Sequence, residues 1–262
     1  MNDHNTHLSA FPADLAHLLA GMQRDQIDIG LSTASVHRYF SDRSVFYLKI
    51  QPAGNGLLQE YEVMTWLQDK LPVPPILYFG SHQQTEYLLT AAIEGEMLCS
   101  PSYLDNPELT VKLLADGIKL LSAVPTSNCP FHHHLDKKLR AAAYNVQHQL
   151  VDTTDWENNN RFATPQALLD YLIAHQPAAY TPTFTHGDYC LPNIFGKQGR
   201  VSGFIDIGGA GIADIYQDIA LCVRSLNHNF GSDDYAALFF EMLNMQPDKE
   251  RIEYYILLDE LF

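Results

Sequence analysis

Apolar residues recur at helical spacing between Leu8 and Arg24 (Phe11, Leu15, Leu18, Leu19, Met22), with Pro12 near the start where a helix tolerates it. The spacing predicts one helix over that stretch. Val36 to Phe40 and Val45 to Ile50 then read as two short strands joined by the polar turn Ser41-Asp42-Arg43-Ser44. Gly54 and Gly56 break the pattern before Leu57 to Leu71, where Leu58, Tyr61, Glu62, Thr65 and Trp66 return to helical intervals. Pro72, Pro74 and Pro75 stop that helix, and Ile76 to Gly80 and Tyr87 to Thr90 predict two more strands.

Glu94-Gly95-Glu96 is a short breaker-containing link, after which the texture changes to long helical segments: Pro107 to Ala123, Leu135 to Leu150 and Pro165 to His175. Asn158-Asn159-Asn160 reads as a loop between two of them. A compact strand-rich island follows from Phe184 to Ile207, and helices resume from Asp214 to the terminus. No internal repeat emerges. The pattern predicts an α+β chain with a small β-rich lobe over residues 1–94 and a larger helical lobe over residues 95–262. Two-lobed kinases share that outline, but an outline does not assign a function.

Composition narrows the classes. Of 262 residues, 46% are hydrophobic and 18% charged, enough to bury a core. The balance of 16 basic against 31 acidic side chains, a net charge of −15, argues against a basic field for nucleic acid. It fits either simple solubility or a cationic partner, a tie that only sites can break. The longest apolar runs, such as Ile76 to Phe79 and Tyr254 to Leu258, fall far short of the roughly 20 residues of a membrane helix. Met1-Asn2-Asp3-His4-Asn5 lacks the basic start of a secretion signal, and the cysteines at 99, 129, 190 and 222 form no C-x-x-C pair. Reduced thiols in a cytoplasmic protein are therefore expected.

The chemistry concentrates in the island. It reads Thr185-His186-Gly187-Asp188-Tyr189-Cys190-Leu191-Pro192-Asn193-Ile194-Phe195, then Val201-Ser202-Gly203-Phe204-Ile205-Asp206-Ile207-Gly208. Asp188 and Asn193 stand five positions apart between strand-like segments, so both project from one loop. Phosphoryl transfer needs metal ions bridging the phosphates and a carboxylate that positions the incoming hydroxyl and accepts its proton. Two oxygen ligands, Asn193 and Asp206, and one further carboxylate, Asp188, meet that need. The Asp-to-Asn spacing is that of the kinase loop H-R-D-x-x-x-x-N, and Asp206-Ile207-Gly208 stands where D-F-G follows it. Asp and Asn also favour turns, so the weight lies in the conjunction and its order.

A kinase-like chain also needs a lysine to grip phosphates and a carboxylate to orient that lysine. Lys49 lies in the apolar strand Val45 to Ile50, where it has no solvation reason to sit, and Glu60 begins the next helix. Gly30-Leu31-Ser32-Thr33-Ala34-Ser35 is a small-residue turn that can bring backbone N–H groups to phosphates, although it is not a G-x-G-x-x-G.

With these residues in place, the chain resembles the aminoglycoside 3'-phosphotransferases, antibiotic-resistance enzymes with a protein-kinase-like fold. The resemblance rests on H-G-D-Y-C-L-P-N-I-F, V-S-G-F-I-D-I-G, D-I-A-L-C-V-R-S and the ending Tyr254 to Phe262, and extends through Trp66-Leu67 and Lys70 to Pro74. It implies that Asp188 is the catalytic base, that Asn193 and Asp206 hold Mg2+, and that Lys49, paired with Glu60, reaches the phosphates of ATP, with GTP the alternative. It also implies that Tyr47 stacks on the base, that Ala92, Ile93 and Glu94 form a hinge offering backbone hydrogen bonds, and that Ser32 lies in the phosphate-covering loop. Asp218 would brace the catalytic loop and His186 would orient it.

Aminoglycosides are polycations, so their site needs carboxylates around one reactive hydroxyl. The resemblance assigns substrate contacts to Asp155, Glu157, Arg224, Glu260 and Phe262, the last through its terminal carboxylate. It implies a monomer or weak homodimer that conforms to the composition in binding neither nucleic acid nor membrane. The chain departs from the family at Gly209, where an Arg is frequent, and at His228 and Asn229, where acidic residues are frequent. Those departures motivate a second reading, a kinase of the same fold for another small amine- or sugar-like metabolite.

Three features have plainer readings. His132-His133-His134 point in different directions and are expected to form a loop before the helix at Leu135, not a metal site. Cys190 has no base at a fitting spacing and is expected to pack. Phe239-Phe240 and Tyr254-Tyr255 are expected in the core.

Overall fold

Strand pairing overrides local spacing at the amino-terminal end. The structure, a computed structural model, describes residues 10–27, 34–154, 156, 161–177 and 180–262. The expected helix from Leu8 to Arg24 is shorter: α1 spans Ala13–Leu19, Gly21 takes φ +78°, and Gln23–Ile27 forms strand β1. β1 pairs antiparallel with β2 (Ser35–Phe40), and these backbone hydrogen bonds compete successfully with another helical turn.

The described chain divides into two compact units, one running to Glu94 and including Ser202–Gly208, the other comprising Gly95–Val201 and Gly209–Phe262. The first unit holds a five-stranded sheet in the order β1-β2-β3-β5-β4, with β3 at Val45–Pro52, β4 at Ile76–His82 and β5 at Thr85–Ala91. Each neighbouring pair is antiparallel. On one face, Leu48, Tyr39, Tyr87 and Leu89 pack with Leu15 and Leu19 of α1 in a continuous buried cluster. Alternation along β3 sends Tyr47 and Lys49 to the opposite face. Helix α2 (Leu57–Leu67) packs on β4 and β5 and buries Leu57, Val63, Met64 and Leu67. It ends four residues before the expected Leu71, and the Gln68 carboxamide donates to the Pro74 carbonyl at 3.0 Å.

The second unit is mainly helical. Its elements are the short α3 (Pro101–Leu104), α4 (Pro107–Ser122), α5 (Leu135–Gln147), α6 (Pro165–Ala174), α7 (Tyr216–Phe230), α8 (Asp234–Leu243) and α9 (Lys249–Asp259). Polar caps define several starts: Asn106 accepts from the Leu109 N–H, Thr164 from Ala167 and Asp248 from Arg251. α4 packs against α8, α7 and β7 (Thr183–Thr185), burying Val111, Leu113, Leu114, Ile118 and Leu121. Phe239, Phe240, Tyr254 and Tyr255 are buried, as expected of core aromatics.

Two small sheets frame the island. β7 pairs with β10 (Gly211–Ala213), so the segments entering the H-G-D loop and leaving D-I-G lie side by side. Glu96, expected as the end of the link Glu94-Gly95-Glu96, instead begins strand β6 (Glu96–Met97), paired with β8 (Ile194–Lys197), which is followed by β9 (Arg200–Phe204). A two-residue strand exists only through its partner, which local spacing cannot show. The His132-His133-His134 run is a loop segment as expected; the His133 N–H donates to the Ile212 carbonyl at 2.9 Å. Among the described residues no helix is long and apolar enough to cross a membrane, and no group of three His, Cys, Asp or Glu could hold a metal ion.

Candidate active site

In the first unit, Lys49 is the centre of a charge cluster. Its Nζ donates to Glu60 Oε1 at 2.6 Å and to Asp206 Oδ1. β3 places the lysine, the first turn of α2 places Glu60, and Ser202–Gly208 returns to this unit to place Asp206. Burial alone would pull the Lys49 ammonium down, but the Glu60 and Asp206 charges outweigh it and hold it above the ordinary lysine range. Burial raises the Glu60 carboxyl, with Lys49 opposing and Asp206 adding to the rise. Asp206 is exposed and takes φ +57°, a left-handed conformation that Asp tolerates better than most residues.

The D-I-G segment has a second anchor that the sequence reading missed. Gln59 Nε2 donates to the Gly208 carbonyl at 2.6 Å, and Glu60 Cβ lies where a side chain on Gly208 would meet it. The adjacency of Gln59 to Glu60 was the available signal. Tyr47 is half-buried and shares a face of β3 with Lys49. Of the hinge residues, Ala92 spends its N–H on the Val45 carbonyl at 2.9 Å, and Ile93 fills the space beside Gly203. The Ala92 amide therefore has no donor left for a base. Ser32, Asp155 and Glu157 lie outside the described residues.

In the second unit, the H-G-D loop is held from beneath. Asp218, buried in the first turn of α7, accepts from the His186 N–H at 2.6 Å and the Gly187 N–H at 2.8 Å. His186 is fully buried, and its Nδ1 accepts from the Asp188 N–H at 3.3 Å, which suits a loop-orienting residue. Gly187 takes φ +92° against the Gly209 carbonyl, a place no side chain can enter. Gln217 Nε2 also donates to the Gly187 carbonyl at 3.3 Å, and the Leu191 N–H donates to Ser225 Oγ at 3.1 Å. The loop is thus fastened to α7 at several points, while Asp188 itself is exposed between buried His186 and Tyr189.

Asn193 closes the loop in a 3-10 turn, Leu191–Asn193, that begins with Pro192 near its start. Its Nδ2 donates to Asp188 Oδ2 at 2.8 Å and to the Asp188 carbonyl at 2.9 Å. With the amide nitrogen spent on Asp188, the Oδ1 is the group left to bind a cation. Asn193 and Asp206 each offer hard oxygen donors suited to Mg2+, which takes few protein ligands and completes its shell with phosphates and water. The Cys190 thiol, half-buried, donates to Asp188 Oδ1 at 3.6 Å and to the Asp188 carbonyl at 3.8 Å.

At the chain terminus, Arg224 on α7 pairs with Asp259 at 2.5 Å and reaches Glu260 at 3.5 Å. Arg224 therefore neutralises part of the acidic end. Burial raises the half-buried Glu260 carboxyl, while Arg224 lowers it and Asp259 adds to the rise. Phe262 is about half exposed.

Comparison with known proteins places the chain. A family model described as the phosphotransferase enzyme family matches residues 23–255. An aminoglycoside 3'-phosphotransferase of Enterococcus faecalis is 40% identical over 242 residues, covering 89% of this chain and 91% of that protein. One from Niallia circulans is 38% identical over 256 residues, covering 96% and 97%. The crystal structure of an aminoglycoside-3'-phosphotransferase of type VIII superposes with a TM-score of 0.86 at 28% identity, covering 98% of this chain and 100% of that one. An aminoglycoside phosphotransferase of Streptomyces rimosus, solved in complex with ADP and streptomycin, superposes with a TM-score of 0.78 at 29% identity, covering 92% of each chain. The fold is therefore the α+β, kinase-like one expected, and the chain belongs to the phosphotransferase enzyme family, among the aminoglycoside 3'-phosphotransferases.

Proposed function

We propose that the protein transfers the γ-phosphoryl group of ATP to the 3'-hydroxyl of an aminoglycoside and so confers resistance, working in the cytoplasm where ATP is supplied. The observation that carries this reading is the exposed Asp188 carboxylate, aimed by Asn193 from a loop that Asp218 and His186 hold rigid. Asp188 accepts the hydroxyl proton as the oxygen attacks the γ-phosphorus and the bond to the β-phosphate oxygen breaks, releasing ADP. Lys49, oriented by Glu60, offsets negative charge on the phosphates as that bond breaks. Bound Mg2+ would supply further neutralisation of the phosphate oxygens, held by Asp206 and Asn193. Tyr47 provides a face for the base. Ser32, Ala92, Ile93 and Glu94 complete the nucleotide contacts, and Asp155, Glu157, Arg224, Glu260 and Phe262 surround the polycationic acceptor.

The test is ADP release by the purified protein with ATP and magnesium against aminoglycosides with and without a 3'-hydroxyl. Release with the hydroxylated compounds alone supports the proposal. No release with any aminoglycoside would overturn it and favour another small amine- or sugar-like acceptor, the reading that Gly209, His228 and Asn229 motivate.

A further inference from the structure

The first turn of α2 carries two consecutive polar side chains with different duties. Glu60 accepts from Lys49 Nζ at 2.6 Å, and Gln59 Nε2 donates to the Gly208 carbonyl at 2.6 Å. The turn is fixed to the sheet without either of them. Gly56 precedes the helix and has no side chain to cap it, so buried Glu86 of β5 accepts from the Leu58 N–H at 3.2 Å. The D-I-G segment is held to the same unit on both sides of Asp206. Before it, the Phe204 N–H donates to the Pro72 carbonyl at 2.9 Å; after it, the Gly208 carbonyl takes the Gln59 amide. A side chain on Gly208 would meet Glu60 Cβ, so the backbone approaches α2 closely at that point.

Between these two holds Asp206 takes φ +57°, a region that a non-glycine residue keeps only where its surroundings enforce it. Magnesium demands near-octahedral coordination, so a carboxylate that serves it has to be delivered in a fixed direction. Lys49 also bonds Asp206, but on the reading above the same ammonium serves the nucleotide phosphates. A bond to the backbone two residues further on keeps its grip whatever the Asp206 carboxylate binds. We propose that Gln59 is a positioning residue: by holding the Gly208 carbonyl it keeps Asp206 in the left-handed conformation that suits its carboxylate to magnesium. One helical turn thereby orients the phosphate-gripping lysine through Glu60 and the metal ligand through Gln59. This inference rests on the phosphoryl-transfer reading above.

Gln59 is exposed, so its side chain can be changed without opening the core. Gln59→Met keeps the length of the side chain without the donor, and Gln59→Ala removes both. Calorimetry on the whole protein reads the magnesium concentration for half-maximal ADP binding. It should rise about three- to tenfold in each variant, the range expected for one hydrogen bond. ADP affinity in EDTA should stay within about twofold of wild type, because the Lys49–Glu60 pair is untouched. Turnover should fall at limiting magnesium and return at excess magnesium, a rescue that a merely structural role does not allow. A magnesium requirement raised less than about threefold in either variant would overturn the proposal. So would an equal loss of ADP affinity with and without magnesium, which would assign Gln59 to the Lys49–Glu60 pair, or failure of both variants to fold. A wild-type protein whose ADP binding ignores magnesium overturns the metal reading and this proposal with it, whereas a magnesium-dependent wild type with unaltered variants overturns only the role of Gln59.

Discussion

The Asn193 carboxamide donates to both the carboxylate and the carbonyl of Asp188, at 2.8 and 2.9 Å. One side chain therefore sets the rotamer of the expected base through its amide nitrogen, which leaves its oxygen outside that contact. Asn193→Ala should lower kcat by about 100-fold or more, since it removes both a positioning bond and an oxygen ligand. The magnesium concentration for half-maximal ADP binding, read by calorimetry, should rise as well. An unchanged magnesium requirement would mean that Asn193 only positions the loop.

Asp188→Ala should reduce turnover by about 10²–10⁴-fold, the usual contribution of a general base, while ADP still binds. Near-normal turnover would remove Asp188 from the mechanism. Loss of ADP binding together with turnover would assign it to the nucleotide site instead.

Lys49 pairs with Glu60 at 2.6 Å, and their side chains are only 21% and 12% exposed. Lys49→Met removes the cation and leaves two carboxylates facing each other. Its kcat/KM for ATP should fall by about 10²–10³-fold, the scale for losing one group that stabilises transition-state charge. Affinity for the aminoglycoside, measured without nucleotide, should stay at the wild-type value.

Asp218 sets a pH dependence of stability. Burial raises its carboxyl to about 7, against the His186 and Gly187 N–H groups and Lys138, with Asp188 adding to the rise. The ordinary value, 3.8, governs the unfolded chain. Between these values the native protein holds a proton that the unfolded chain has released, so this contribution is full below about 4, declines as pH rises, and is gone above about 7. The stability of wild type relative to Asp218→Asn, from urea unfolding at a series of pH values, should therefore fall by up to about 1.4 kcal/mol per pH unit in that window and level off above it. A difference independent of pH would show that Asp218 stays ionised throughout.

Gly187 cannot be replaced without moving backbone, because it combines φ +92° with close approach to the Gly209 carbonyl. Gly187→Ala should cost about 2–4 kcal/mol in urea unfolding, from a strained dihedral plus a backbone clash. Gly231→Ala is the control: it also has positive φ, +64°, but open space around it, and should cost less.

The island was legible in the chain because its chemistry is local. Asp188 and Asn193 share one short loop, Gly187 and Pro192 fix its bends, and Asp206 follows the next strand. The helices from α4 onward were legible for a similar reason, since their periodic apolar faces and polar caps act within a few residues. Strand β1 was not, because Gln23-Arg24-Asp25-Gln26-Ile27 has no apolar alternation and exists by pairing with Val36 to Phe40. β6 was missed for the same cause, a partner about a hundred residues away.

By itself, then, the sequence determined the family and singled out the candidate side chains for phosphoryl transfer, in their order, since residue type and short spacing suffice for that. Only the tertiary structure decided what those side chains lean on. It returned Ser202–Gly208 to the first unit so that Asp206 meets Lys49, spent the Ala92 amide on Val45, committed Arg224 to Asp259, and brought Lys138 to the chain end. Each of these joins residues far apart in the chain through hydrogen bonds or charge. Their free energy exists only once the backbone between them is folded, so no local pattern can announce them.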